Sequence, residues 1–192
     1  MAAERLVPVT LELGGKSPCV VESDANINVA ARRIAMTKFS NDGQMCVAPD
    51  YLLVHDSVKE KLVEALKASA LKFFSDKPEE SYSYGKIINK KQFNRIAGYL
   101  SQGKIVYGGR TNKEKLFIEP TILTDVSMNG SIMKDEIFGP ILPIIPFTTM
   151  EEAKGIIQQN PNPLSFYIYT SSSKKEKEWL EVIIERTPEH SR

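Results

Sequence analysis

SPCVVE at residues 17–22, NINVAARRIAMTKF at 26–39 and YLLVH at 51–55 form the stretch whose reading decides the fold. The first and third runs are short, apolar and rich in valine and leucine, as strands buried on both faces are. Between them Ile27, Ala30, Ala31, Ile34 and Ala35 recur at helical spacing, with Asp24 as the expected N-cap. Strand, helix and strand in so short a span point to parallel strands joined by a crossover helix.

Working outward, residues 7–13 make another β-prone run, set off from the first strand by Gly14-Gly15. A second helix is expected from near Ser57, with Val58, Leu62, Ala65, Leu66, Ala70 and Phe73 on one face and Pro78 soon after its end. Residues 81–88 are irregular. A helix over 90–101 stops at Gly103, and a strand over 104–107 closes on Gly108-Gly109. Residues 116–123 read as a strand that Pro120 confines to an edge or interrupts. Strands at 141–147 and 165–170 then alternate with helices at 149–159 and 174–185. The expected fold class is α/β, a mostly parallel sheet with flanking helices. Residues 187–192 carry no pattern, which fits truncation or a surface tail equally.

The 192 residues hold 42% hydrophobic side chains, enough for a core. Twenty-five basic and 24 acidic residues are interspersed to a net charge of +1, so nothing points to nucleic acid. Two cysteines, Cys19 and Cys46, make no disulfide framework and favour a reducing compartment, hence a cytoplasmic location. His55 and His190 are too far apart for a Cys/His metal pattern. No apolar run is long enough to span a membrane, and the N-terminus lacks a signal-peptide core.

Three stretches carry chemistry. Cys46 lies in Asn41-Asp42-Gly43-Gln44-Met45-Cys46-Val47-Ala48-Pro49, a glycine-containing loop in which a thiol is open to substrate and to oxyanion-binding backbone N–H groups. For a cysteine taken alone, burial in the core is the commoner fate. In Leu11-Glu12-Leu13-Gly14-Gly15-Lys16-Ser17-Pro18, Glu12 is placed for partial burial, which would lift its pKa toward that of a general base. A solvated strand-end carboxylate is the plainer reading. The run is not a phosphate loop, because Thr10 stands where the first glycine would be. In Lys134-Asp135-Glu136-Ile137-Phe138-Gly139-Pro140, Glu136 is suited to ribose hydroxyls and Phe138 to a flat ring, or the phenylalanine is simply core.

Together, in this order and at these separations, the three stretches resemble the aldehyde dehydrogenase superfamily, most closely its class 3-like branch. Cys-Val-Ala-Pro-Asp-Tyr at 46–51 and Pro163-Leu164 before the late strand add to the likeness, which covers residues 7–184. The resemblance implies Cys46 as nucleophile and Glu12 as general base. It also implies Glu136, Phe138 and Leu13 at an NAD or NADP site, and a small-molecule aldehyde as substrate. Full-length relatives are expected to be homo-oligomers. Residues 1–13 are expected to be a remnant of the cofactor-domain edge and 14–186 the catalytic domain, with 187–192 an unpatterned tail.

Two features depart from the pattern. Asp42 stands where the family more often has a small neutral residue, and its charge would raise the thiol pKa if it pointed inward. The family's N-terminal half, with most of the cofactor domain, has no counterpart here, nor has its C-terminal segment. A non-catalytic isoform or interaction fragment, with or without residual thiol esterase activity, is therefore the alternative function. Cys19 is expected to be a strand thiol and Lys16 a strand-end charge, with a place near the cofactor as the alternative for Lys16. Tyr82 and Tyr84 should pack in their loop, and residues 174–177 should form a solvated helix face. His55-Asp56-Ser57 is not a triad, since adjacent residues cannot converge as triad members do.

Overall fold

A computed structural model describes residues 3–11, 13–160 and 163–184. Its strands and helices run in the order β1 (Pro18–Val21), α1 (Ile27–Phe39), β2 (Tyr51–His55), α2 (Lys59–Phe74), α3 (Lys90–Ala97), β3 (Lys104–Tyr107), β4 (Thr111–Asn112), β5 (Phe117–Ile118), β6 (Thr121–Thr124), α4 (Ser131–Lys134), β7 (Ile141–Phe147), α5 (Met150–Gln158), β8 (Tyr167–Tyr169) and α6 (Ser173–Ile184). Six strands form one sheet in the order β3-β6-β7-β2-β1-β8, and β4 and β5 form a separate small hairpin. All neighbours in the sheet are parallel except β3 on β6.

The register explains the two cores. Cys19 lies beside Leu52 and Leu52 beside Ile144, all on the face covered by α1 and α2. Val20, Leu53 and Ile145 make the adjacent row, which faces α3, α5 and α6 through Ile96, Ile157 and Trp179. Both faces are buried, so the central strands are apolar throughout rather than alternating. Burying each such aliphatic side chain contributes roughly 1.5–3 kcal/mol before chain entropy is counted. Trp179 also donates its indole N–H to Glu22 at 2.8 Å, while Lys175 Nζ donates to the other oxygen at 2.7 Å. These two contacts clamp α6 to the end of β1.

Several local expectations are corrected. Residues 7–11 and 13 join no strand: Val7, Val9, Leu11 and Leu13 are exposed, and period-2 alternation without a neighbouring strand makes no ladder. Asn26, not Asp24, caps α1 by accepting from the Val29 amide. Asp24 instead accepts from Thr170 and Ser171 and pairs with Lys175. At 116–123 the interruption read from Pro120 is borne out: the run is two strands, and the chain leaves the β4–β5 hairpin there for the main sheet. Lys175 is no simple solvated charge, given its two acidic partners. Tyr84 is buried with its hydroxyl donating to Ile118 O at 2.8 Å, but Tyr82 is fully exposed and packs on nothing. Among the described residues, no helix is long and apolar enough to cross a membrane.

Candidate active site

The Cys46 loop begins with a reversal. After α1, Asn41, Asp42 and Gly43 take φ of 50°, 55° and 67°, three successive left-handed residues that turn the chain back. At Gly43 no side chain fits, because a Cβ there would lie 2.4 Å from the Gly139 carbonyl oxygen and 2.8 Å from that of Lys38. The cysteine loop is thus seated directly on the Glu136–Pro140 segment. Gln44 fastens the next part: Nε2 donates to the carbonyls of Asn41 (3.2 Å) and Lys86 (3.0 Å), and Oε1 accepts from the Ile88 amide at 3.0 Å. Beyond the thiol, the Tyr167 hydroxyl donates to the Val47 carbonyl. Cys46 itself stands exposed on the turn closed by Ala48 N–H to Met45 O at 3.0 Å.

Glu136 reaches across to the first glycine pair. Its carboxylate lies so close to Gly14 that a Cβ there would fall 2.2 Å from Oε2, and the Gly15 amide donates to it. Burial pushes the Glu136 carboxyl above its ordinary pKa and Asp50 adds to the push, while the Gly15 amide, Lys16 and Lys38 hold it partly back. Beneath it Lys16 and Asp50 form a buried ion pair, contrary to the expected strand-end charge. Lys16 Nζ donates also to Ile132 O (2.8 Å) and Asp135 O (3.0 Å), and Asp50 Oδ1 accepts from the Ile137 amide at 2.8 Å. From outside, Arg95 donates to the carbonyls of Glu136 (3.1 Å) and Ile137 (2.7 Å). The backbone on either side of Glu136 is gripped from two directions. Phe138 follows with φ of 47°, strained for an aromatic residue, and is 40% exposed rather than core.

Lys38 is also buried in this neighbourhood. Burial pulls its ammonium down to about 8, against the attraction of Asp50 and Glu136. Three of the sequence stretches therefore meet: the Cys46 loop touches Gly139, and Glu136 touches Gly14 and Gly15. Glu12 lies outside the described residues, and its neighbour Leu13 is 69% exposed.

A model of the aldehyde dehydrogenase family matches residues 1–184. The chain belongs to the aldehyde dehydrogenase family. It is 48% identical over 171 residues to the 4,4'-diaponeurosporen-aldehyde dehydrogenase of Staphylococcus aureus, covering 88% of this chain and 37% of that protein. The "dimeric NADP-preferring" aldehyde dehydrogenase of Rattus norvegicus is 44% identical over 179 residues, with 93% and 40% covered. The substrate-bound structure of Staphylococcus aureus AldH superposes with a TM-score of 0.88 at 44% identity, over 94% of this chain and 40% of that one. The likeness to class 3 relatives is thus shown, as is the mixed α/β fold. The chain spans about 40% of the length of the relatives it matches.

Sequence reasoning missed the charged group beneath Glu136. Lys38 carried a usable signal, since it follows Ala31, Ile34 and Ala35 on the apolar face of α1. Lys16 lies two residues before the buried β1 and Asp50 directly before β2, buried but for His55, yet their pairing is long-range and no local pattern encodes it.

Proposed function

We propose that this chain carries the nucleophile and part of the cofactor site of an NAD(P)-dependent aldehyde oxidation. The observation that supports it is the seating of the Gly43 turn on Gly139, which joins an exposed Cys46 to the Glu136–Phe138 segment. Glu136 fits a ribose: one side of its carboxylate meets the Gly14-Gly15 backbone, and the side chain remains partly exposed for a hydroxyl. Phe138, held outward by its left-handed backbone, fits the border of a flat ring. Leu13 adjoins that glycine pair and, by family likeness, completes the edge. Bound there, an oxidised nicotinamide supplies the hydride acceptor; the choice between NAD and NADP is left open.

In the chain's own chemistry, Cys46 thiolate adds to the carbonyl carbon of the aldehyde. The new C–S bond leaves the negative charge on oxygen, where the Cys46 backbone N–H can meet it. Loss of hydride from that carbon restores the carbonyl as a thioester. Water then adds with Glu12 taking its proton, and the carboxylic acid departs as the thiolate re-forms. With both cysteines free, a reducing cytoplasmic setting suits this nucleophile. By the same likeness, the whole protein is a homo-oligomer acting on a small-molecule aldehyde.

A second reading, an interaction segment without turnover, draws on the exposed Leu6, Val7, Val9, Leu11 and Leu13. Ester hydrolysis separates the two. Given p-nitrophenyl acetate, the chain should release nitrophenolate through an acyl-Cys46 intermediate, and Cys46→Ala should reduce that release to background, at least ~100-fold. Absence of hydrolysis in the parent, or its survival in Cys46→Ala, would defeat the nucleophile reading.

A further inference from the structure

Asp42 is the one acidic side chain of the cysteine loop, and it points inward with no exposed surface. Neither carboxylate oxygen reaches a hydrogen-bond partner among the described residues. The surrounding donors are committed elsewhere. The Tyr84 hydroxyl proton goes to Ile118 O, and the Gln44 amide serves Asn41, Lys86 and Ile88. The Asn41 amide donates to Gln44 O at 3.0 Å. Gly85 is packed against Asp42: a Cβ on it would sit 3.4 Å from Oδ1, and its amide is the group nearby that favours the ionised carboxyl.

Charges do not compensate it either. Across from Asp42 stands Tyr84, whose own ionisation is opposed by burial, Asp42, Glu119 and Tyr107. The buried cation on its own segment, Lys38, couples to Asp50, Lys16 and Glu136 instead. An ionised carboxylate so placed has only the Gly85 amide to favour it, and burying such a group without a charged partner costs several kcal/mol. Its backbone is already in the left-handed region, tied through Gly43 to Gly139 on one side and through Gln44 to the thiol turn on the other.

We propose that Asp42 is a positioning residue for Cys46: the neutral carboxyl keeps the Asn41-Asp42-Gly43 turn closed, and its ionisation releases the turn that carries the thiol. The inference rests on the reading of Cys46 as nucleophile. Burial pushes the Asp42 carboxyl up to about 7, the Gly85 amide opposing, so the release falls in the neutral range. The sign follows from linkage. A carboxyl with a raised folded pKa binds its proton more tightly in the folded chain, so its stabilisation is full below the unfolded pKa. It is lost as pH rises toward about 7.

The test is the rate of iodoacetamide alkylation at Cys46, followed by peptide mass from pH 6 to 8.5, in the parent and in Asp42→Asn. Asparagine keeps the shape and removes the charge. The ratio of variant to parent rates should be near 1 at pH 6 and depart from 1 severalfold by pH 8.5, because the turn that carries the thiol loosens only in the parent. A ratio constant across pH, at whatever level, would overturn the proposal and leave Asp42 a packing residue. Should Asp42→Asn fail to fold, hydrogen exchange in the parent serves instead. Protection of the amides of residues 43–46, corrected for intrinsic rate, should fall at least ~10-fold between pH 6 and 8, and unchanged protection contradicts the release. Ester hydrolysis surviving Cys46→Ala would retire the nucleophile while leaving the alkylation ratio readable.

Discussion

Cys19 lies in β1 with no exposed surface, paired across the sheet with Leu52 and Tyr167, whereas Cys46 stands exposed on a turn between α1 and β2. Burial pushes the Cys19 thiol far above its ordinary range, which leaves it without a thiolate to react. The two share a residue type and one compartment, so the difference is made by the backbone that carries each. A strand between two helical layers excludes both reagent and charge. A turn built from three left-handed residues and fastened by Gln44 and Tyr167 presents the sulfur while keeping it in place. On the proposed reading, reactivity is a property of the loop's anchorage, and that anchorage is open to attack by mutation.

The largest effect is expected at Lys16. Lys16→Met removes the Asp50 carboxylate's buried ion-pair partner, leaving only the attraction of Lys38, and frees the Ile132 and Asp135 carbonyls. Breaking a buried pair this way costs about 3–5 kcal/mol. Since Cys19 becomes accessible only on opening of the sheet, its labelling should accelerate by on the order of 100-fold or more. Chemical denaturation monitored by Trp179 fluorescence checks the loss, and an unchanged midpoint would contradict the role given to the pair.

Gly43→Ala should act on the other cysteine. The added Cβ meets the Gly139 carbonyl in a backbone region that disfavours any side chain, a local strain of about 1–3 kcal/mol. Ester hydrolysis should fall by roughly tenfold or more while Cys19 stays protected. If hydrolysis and Cys46 labelling match the parent, the seating of the turn on Gly139 does not position the thiol.

The sheet was legible in the sequence wherever strands were wholly apolar and flanked by helical spacing, as at residues 17–55 and 141–158. Legibility ended where a local pattern depends on a distant partner. Residues 7–13 alternate like a strand in sequence, yet residues 7–11 and 13 pair with no strand among the described residues. At 116–123 Pro120 signalled an interruption, but not that the chain changes from the β4–β5 hairpin to the main sheet there. The four residues of α4 are too few to show a helical period. Within the site, the glycine-flanked Cys46 and the Glu136–Pro140 run announced themselves, and the left-handed Phe138 backbone explains why that ring faces outward. Asp42 was visible as an odd charge near the thiol, but its inward direction depends on Tyr84 and Gly85, more than forty residues away. Lys16 and Asp50 were separated in the sequence and joined only by the fold.

The central claim, that one cysteine is held as a nucleophile and the other is held inert, meets its most direct measurement in residue-resolved alkylation of the native chain. Iodoacetamide at pH 7.5, with Cys19 and Cys46 peptides quantified by mass over time, should label Cys46 at least ~100-fold faster than Cys19. The ester hydrolysis should disappear in step with modification of Cys46. Equal labelling of the two cysteines, or hydrolysis that persists after Cys46 is fully alkylated, would contradict the account.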